Sequence, residues 1–502
     1  MSHFAFRNVR DTVELEADYV VVGSGAGGAT VACTLARGGA QVAIVEAGPW
    51  RDPDDYPHSA YGSMRDLFDD WGSLVTRGRA LWPIVQGSVV GGTTVINSAI
   101  AVRTPGDVFA RWQREHGVGG EALAQALWRH QEELERELFV EEVPMVARGR
   151  AHRLAVVGGA ALDYGGGEMQ RYSKNCQGHG TCLQGCRSRR KQSTNLNFVP
   201  EVLERGGHVL SCAPVKKVLF ENGRAAAVVG RFRDPVRLAR GAAFMVRARR
   251  GVVLAASATH TPALLQRSGV RHRALGKFFR AHPGSGVFGC YDQPVDMNEG
   301  VTQGWSTTRF RDEPGLKLET LSIPFEMVAG RLAGGGSELM ERIGEYRHFA
   351  MWVHAVRAES VGTVENGAFD RPVVKYTLDR ADMERFRQGT YLVAKLHFAA
   401  GARAIIPGIH GLPYKIGPNE VEKLRDAPLD PRRYVAILSH LFGGAVMGAD
   451  PARSVCDERG RVRGCEGLYV ADASVMPTNL GVNPQHTIMA LARHFAGEML
   501  GA

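Results

Sequence analysis

No stretch of this 502-residue chain is apolar for the roughly 18 residues that a membrane-spanning helix requires, so no transmembrane segment is expected. The opening residues, MSHFAFRNVRDTVELEAD, have no basic head followed by an apolar stretch, and no secretory leader is expected. Cysteine is scarce: eight in a chain this long do not make a disulfide framework, and a reducing cytoplasm is the expected compartment. Internal repeats and low-complexity segments are missing, which excludes solenoids and disordered linkers; nearest to a hinge is the Gly-rich stretch Gly330–Glu338. The net charge is +9, but the basic runs (Arg187–Lys191 and Arg247–Arg250) are short, dispersed and not interleaved with aromatics. That pattern excludes a nucleic-acid groove and reads as a solvated positive surface.

What is present is globular. Hydrophobic residues make up 44% and charged residues 23%, and the length calls for two joined domains. The segment ADYVVVGSGAGGATVACTLARGGAQVAIVEAG reads as a strand, a glycine turn, a helix and a second strand. Tyr19–Val22 is a buried β-branched run, Val31 and Leu35 have helical spacing, and Val42–Val45 is again apolar. Gly23, Gly25 and Gly28 supply a tight turn, close approach of a pyrophosphate and close helix–strand packing, and Glu46 stands where a carboxylate accepts from a ribose hydroxyl. A lone G-x-G-x-x-G is weak; with both strands, the helix and the acidic residue in register it predicts a dinucleotide site, NAD or FAD.

Four further segments carry pattern: GSVVGGTTVINSAIAVRTP (Gly87–Pro105), VVLAASATHTPALLQRSGV (Val252–Val270), SHLFGGAVMGADP (Ser439–Pro451) and GLYVADASVMPTNLGVNPQHTIMALARHFAGEML (Gly467–Leu500). Taken in this order with the first block, they resemble the glucose–methanol–choline family of flavoproteins, in the flavour of its cholesterol oxidases. The matching motifs run from residue 18 to residue 500. The resemblance implies an α/β protein: a Rossmann-type FAD-binding domain assembled from discontinuous segments, plus a substrate domain on an antiparallel sheet. The expected division gives 1–284 and 436–502 to the FAD side, with substrate-side insertions around 105–175, and 285–435 to the substrate side. The resemblance also assigns residues. His440 matches the active-site histidine and Asn483 its hydrogen-bonding partner. Gly92, Thr93, Asn97 and Ser98 match the loop along the flavin ring and ribityl chain, Asp472 the segment near pyrophosphate and ribityl, and Val215 the strand whose backbone meets adenine. The family sometimes attaches its flavin through a histidine in the second block; none lies between Gly87 and Pro105, so non-covalent FAD is expected.

Chemistry supports the pair. Oxidising an alcohol with a flavin needs a base for the hydroxyl proton while hydride leaves carbon, and a neutral imidazole suits pH 7. His440 follows the strand-like YVAILS and precedes Gly443-Gly444, which predicts a strand end beside a tight turn. Asn483 reads equally as an ordinary helix N-cap, with Pro484 at the first helical position and Ile488, Leu491, Phe495 and Met499 as the buried stripe. Both readings hold together if the helix end, with its partial positive charge, faces the flavin; Pro484 then belongs to the cofactor site. His486 is expected in the first turn, near the site but without a role. Between 285 and 435, HFAMWVHAVRAESVGTVE and RPVVKYTLD alternate as strands and DMERFRQGTYLVAKLHFAAGA has helical spacing. Aromatic and Met content there suits a bulky apolar alcohol or an ordinary core. Glu326 is offered as the counterpart of the glutamate that cholesterol oxidases carry in this domain.

The expected activity is FAD-dependent oxidation of a hydroxyl group on a small-molecule alcohol, with oxygen, a quinone or a redox protein as acceptor. The rivals are a lyase or light-driven decarboxylase on the same fold, and a flavin-binding protein without catalysis; the complete His440/Asn483 pair speaks for oxidation. Three cysteines, Cys176, Cys182 and Cys186, fall within NCQGHGTCLQGCRSRRK with Cys-x5-Cys-x3-Cys spacing. That spacing is similar to dehydrogenases of the family that carry a three-iron cluster, with Arg187, Arg189, Arg190 and Lys191 to offset its charge. A zinc site adding His179 is the other metal reading. Relatives with clusters have a second cysteine where Asn175 stands here, and the reading taken is structural thiols, not an iron–sulfur cluster.

Overall fold

The computed structural model describes residues 2–501, and its strands fall mainly into two large sheets. In the first, the order is Ser2–Phe4, His208–Leu210, Val42–Val45, Val13–Val22, Arg240–Leu254, Arg224–Arg233 and Val215–Glu221, with Leu468–Val470 also paired to Arg240–Leu254. The strands from Ser2–Phe4 through Arg240–Leu254, and Leu468–Val470, run parallel; the last two close an antiparallel meander. The central runs Tyr19–Val22, Val42–Val45 and Val252–Leu254 are buried throughout, as strands covered on both faces must be. Helix Ala26–Arg37 packs between this sheet and helix Gln485–Leu500.

The second sheet is antiparallel: Ala404–Ile406, Arg280–Cys290, Phe349–Val356, Leu316–Thr320, Trp305–Thr307 and Gly167–Glu168, with Ile437–Phe442 also paired to Arg280–Cys290. Helix Arg380–Ala399 covers it and buries Phe386 and Leu396 in a core with Trp352 and Phe349. Two features depart from the expected division. Ile437–Phe442 belongs to the second sheet although the expected division returns to the first side at 436, because its apolar Leu438 packs in the second core. Helices Gly106–His116 and Gly120–Glu137, expected as substrate-side insertions, bury Val108, Phe109, Trp112, Leu127 and Leu134 in the first core.

Candidate active site

Strand Val13–Val22 runs into Gly23, whose φ of 99° requires glycine; a Cβ there would lie 2.3 Å from the Ala255 carbonyl oxygen. A Cβ on Gly28 would lie 2.1 Å from the Gly23 oxygen. Gly25 differs: a Cβ there would meet nothing closer than the Gly92 Cα at 3.9 Å. Gly25 also caps helix Ala26–Arg37 with no side-chain hydrogen bond to the first-turn N–H groups. A helix N-terminus with no capping side chain, beside a glycine whose Cβ position is uncrowded, fits the pyrophosphate of a dinucleotide.

The remaining cofactor candidates surround this turn, and several of their side chains are engaged within the protein. Glu46 is buried; its carboxylate accepts from Ser24 N (2.9 Å), Ser24 Oγ (2.7 Å) and Gly48 N (2.8 Å), leaving about one of its four acceptor positions. Gly91 N donates to Ser24 Oγ (2.9 Å), which brings the turn Gly92–Val95 against Gly25. Thr93 Oγ1 accepts from Gly87 N (3.0 Å). Asn97 donates to Gln485 Oε1 (2.5 Å), and the Ser98 carbonyl accepts from Arg171 Nε (3.1 Å). Val215 opens its strand opposite Gly230, its carbonyl accepting from Arg267 (2.9 Å). Asp472 is buried and accepts from Ser257 N, Thr261 Oγ1 and Ser474 N, so its side chain braces the loops and its backbone lies against Gly27.

His440 and Asn483 come together from distant elements. Strand Ile437–Phe442 pairs with Arg280–Cys290 as Ala281 with Leu441 and Pro283 with Leu438, so His282 faces both Ser439 and His440. This β-bulge lies between Ala281 and Pro283, next to a residue with no N–H for the ladder. It sets His282 Nδ1 3.1 Å from His440 Nδ1, with the rings edge to face. On the other side, Asn483 Nδ2 lies 3.5 Å from His440 Nε2. The two histidines, Asn483, Lys317, Glu319, Arg357, Ala355, Gly481 and Val482 line a cavity of about 10 Å³, space for about one water. Burial holds the His440 pKa down at about 4, with Glu319 raising and Lys317 lowering it, so the ring is a neutral base at pH 7. His282 is held well below its ordinary value by burial and by His440.

Lys317, Glu319 and His282 are the residues that pattern reading missed. Lys317 Nζ donates to Asn483 Oδ1 and lies 2.5 Å from Glu319, both side chains being buried. Their signal is in GLKLET: two charges at alternate positions face one side of a strand that is buried end to end. Glu326, the expected glutamate, is exposed and accepts from Ala60 N (3.1 Å); the glutamate beside His440 is Glu319. Asn483 is not the N-cap. The helix begins at Gln485 with Pro484 as its cap, because the Asn483 amide is drawn to Lys317 and His440. His486 is buried away from the cavity, with Tyr172 hydroxyl on Nδ1 and Glu135 3.1 Å from Nε2, which ties the terminal helix to Gly120–Glu137.

The cysteine loop buttresses the flavin-block turn. Lys191, expected to offset a cluster's charge, is buried and donates to the carbonyls of Val95, Asn97 (3.0 Å) and Cys182 (2.8 Å). Arg171 donates to Cys182 Sγ at 3.1 Å; against burial, Arg171 and Lys191 bring that thiol down to about 7. Cys176 packs beside Val143, Ala147 and Val301, and Cys186 Sγ sits 3.3 Å from Ser188 Oγ. Among the described residues no three His, Cys, Asp or Glu side chains converge as a metal ion requires.

A dinucleotide turn on a parallel sheet, joined to an antiparallel sheet that delivers a neutral histidine to a buried cavity, fits a dinucleotide-dependent oxidoreductase. Comparison with known proteins gives the family. The GMC oxidoreductase N-terminal profile matches residues 17–284 and the C-terminal profile residues 358–492, and the chain belongs to this family of FAD-dependent enzymes. It is 35% identical over 479 residues to an uncharacterized GMC-type oxidoreductase of Mycobacterium tuberculosis, covering 95% of this chain and 74% of that protein. A long-chain-alcohol oxidase of Arabidopsis thaliana is 28% identical over 516 residues, covering 96% of this chain and 66% of that one. Pyridoxine 4-oxidase from Mesorbium loti shares the fold, with a TM-score of 0.70 at 18% identity over 96% of this chain and 98% of that chain. Membership implies oxidation of a CH–OH donor, and no helix among the described residues is long and apolar enough to cross a membrane.

Proposed function

We propose that the protein oxidises a bulky, apolar alcohol, with His440 as the base and Asn483 as its hydrogen-bonding partner. The observation that carries this reading is the meeting of His440 and Asn483 at one buried cavity, from a strand and the approach to a helix that lie 43 residues apart. The reacting hydroxyl gives its proton to His440 Nε2 while the Asn483 amide donates to the same oxygen; the carbon loses hydride and becomes a carbonyl. FAD, when bound, accepts that hydride and its electron pair. The first sheet then serves as the FAD domain and the second as the substrate domain.

Gly23, Gly25 and Gly28 hold the pyrophosphate, Glu46 the ribose, the backbone of Val215 the adenine, and Gly92, Thr93, Asn97, Ser98, Asp472 and Pro484 surround the ribityl chain and ring. Binding is non-covalent, since the Gly87–Pro105 block offers no histidine. The apolar character of the substrate is supported by the aromatic and Met content of 285–435 and by similarity to a protein named a long-chain-alcohol oxidase. The groups nearest His440 are polar, so they address the hydroxyl end of the substrate. We place the enzyme in the cytoplasm.

The test is anaerobic mixing of the holoenzyme with a panel of primary and secondary alcohols from ethanol to long-chain alcohols and sterols, followed by oxygen, a quinone or a dye. Flavin bleaching by an apolar alcohol is the expected result. H440A should slow it by about 10²–10⁴-fold with FAD retained; unchanged reduction in H440A rejects the base.

A further inference from the structure

The side chains behind His440 form a hydrogen-bond chain with a definite direction. Asn479 is fully buried, and its Nδ2 donates to the carbonyls of Ala281 (2.8 Å) and Ala358 (3.4 Å). Turning that amide over would set its oxygen against two carbonyls, so Oδ1 is the atom that faces His282 Nε2. Oδ1 can only accept, and it also receives Gly481 N–H at 2.9 Å. His282 Nε2 therefore carries the proton. The opposite tautomer, in which Nε2 accepts from Gly481 N at 2.9 Å, presses one lone pair against another in a buried place. With its proton on Nε2, His282 offers a lone pair at Nδ1, 3.1 Å from His440 Nδ1. His440 must then hold its proton on Nδ1 and leave Nε2 bare, on the side where Asn483 Nδ2 stands.

We propose that His282, oriented by Asn479, is a positioning residue that fixes His440 in the tautomer with a free Nε2. A second arm sets the polarity of Asn483: Lys317 donates to its Oδ1, so its NH₂ group turns toward His440 Nε2. The two arms end in one acceptor and one donor side by side, the pair an alcohol hydroxyl requires. When Nε2 takes a proton, Nδ1–H still has His282 as acceptor, as the orienting partner of a catalytic imidazole does in other enzymes. The charged groups facing His440 from the neighbouring elements, Lys317, Glu319 and Arg357, are partly balanced: Lys317 by Glu319, and Arg357 by Asp107.

This inference rests on His440 being the base, but its test does not. The oxidised holoenzyme is labelled with ¹⁵N-histidine, and His440 is assigned by the signals that H440N removes. At neutral pH, wild-type His440 is expected to show a pyrrole-type Nδ1 and a pyridine-type Nε2. H282L should erase that preference, and H282N, whose amide oxygen can stand in for Nδ1, should restore it. Wild-type His440 with its proton on Nε2, or an unchanged tautomer in H282L, overturns the proposal. N479L, which frees His282 without removing it, should give the same loss and serves if H282L does not fold. Flavin reduction that persists in H440A would reject the base while leaving the tautomer reading intact.

Discussion

Alanine at Gly23, Gly25 and Gly28 separates the two glycines of the pyrophosphate turn that the fold also requires from the one whose bare Cα matters only to the ligand. At Gly28 the new methyl must enter the 2.1 Å gap to the Gly23 oxygen, and at Gly23 the 2.3 Å gap to the Ala255 oxygen. Overpacking of this kind costs about 1–3 kcal/mol, and the left-handed backbone of Gly23 adds about 1–2 kcal/mol. Unfolding entropy near 2.1 cal/mol/K per residue sums to about 1 kcal/mol/K for this length, so G23A and G28A should lower the apoprotein midpoint by about 1–5 °C. Gly25 has φ −68° and ψ −164°, open to any residue, and nothing within 3.9 Å of its Cβ. G25A should therefore leave the apoprotein within about 1 °C of wild type. Added FAD at 100 times its dissociation constant stabilises the wild type by about 2.7 kcal/mol, and the Gly25 methyl, standing where the phosphates approach, should remove most of that shift. Thermal unfolding of each apoprotein with and without FAD, and flavin absorbance after desalting, read both effects. A G25A apoprotein as unstable as G28A, or one with the full FAD shift, would refute the reasoning.

Three other outcomes follow from the buried charges and thiols. His354 and His397 are buried with pKa values held by burial at about 3, and His282 also lies well below its ordinary value. The unfolded chain protonates these rings first, so stability is full above about pH 6.5 and falls with acidification toward pH 3, by up to about 1.4 kcal/mol per pH unit for each ring; urea midpoints that stay level from pH 7 to 5 would contradict this. K317M strands the buried Glu319 and should cost about 3–5 kcal/mol, with most of the loss recovered in K317M/E319L; denaturant melts of the single and double variants measure it. Iron and acid-labile sulfide in the purified protein should be below stoichiometric amounts, and a reducible iron chromophore lost in C182A would overturn the reading of the cysteine loop as a buttress.

The first strand–turn–helix–strand was legible residue by residue because each of its signals is local: β-branched runs, glycine spacing and helical periodicity coincide. The strand bearing His440 and the helices Arg380–Ala399 and Gln485–Leu500 were legible for the same reason. The long-range pairings were not. That Ile437–Phe442 joins the second sheet depends on a partner strand far earlier in the chain, and nothing within YVAILSHLF distinguishes one sheet from the other. The same limit hid Lys317 and Glu319, whose burial is tolerable only because each meets the other beside Asn483. Residue type alone points to Glu326 as readily as to Glu319, while burial, which sequence does not display, separates them. The Lys191 contacts were equally hidden, since a basic run on paper gives no sign that one member turns inward to carbonyls.

The irregular pairing at Pro283 bears on how this site could be moved or rebuilt. A one-residue change of register turns every side chain of a strand to the opposite face. Deleting Ser439 would restore an unbroken ladder with His440 paired directly to His282 and would remove the local bend and twist that set the two rings, with every residue type of the site still present. Copying the histidines and asparagines onto a related scaffold with regular strands would therefore transfer the letters without the chemistry. The unit that positions the pair is the backbone irregularity between Ala281 and Pro283 together with its two histidines, so an insertion or deletion near residues 282 and 439 should disturb the site even where both histidines are kept.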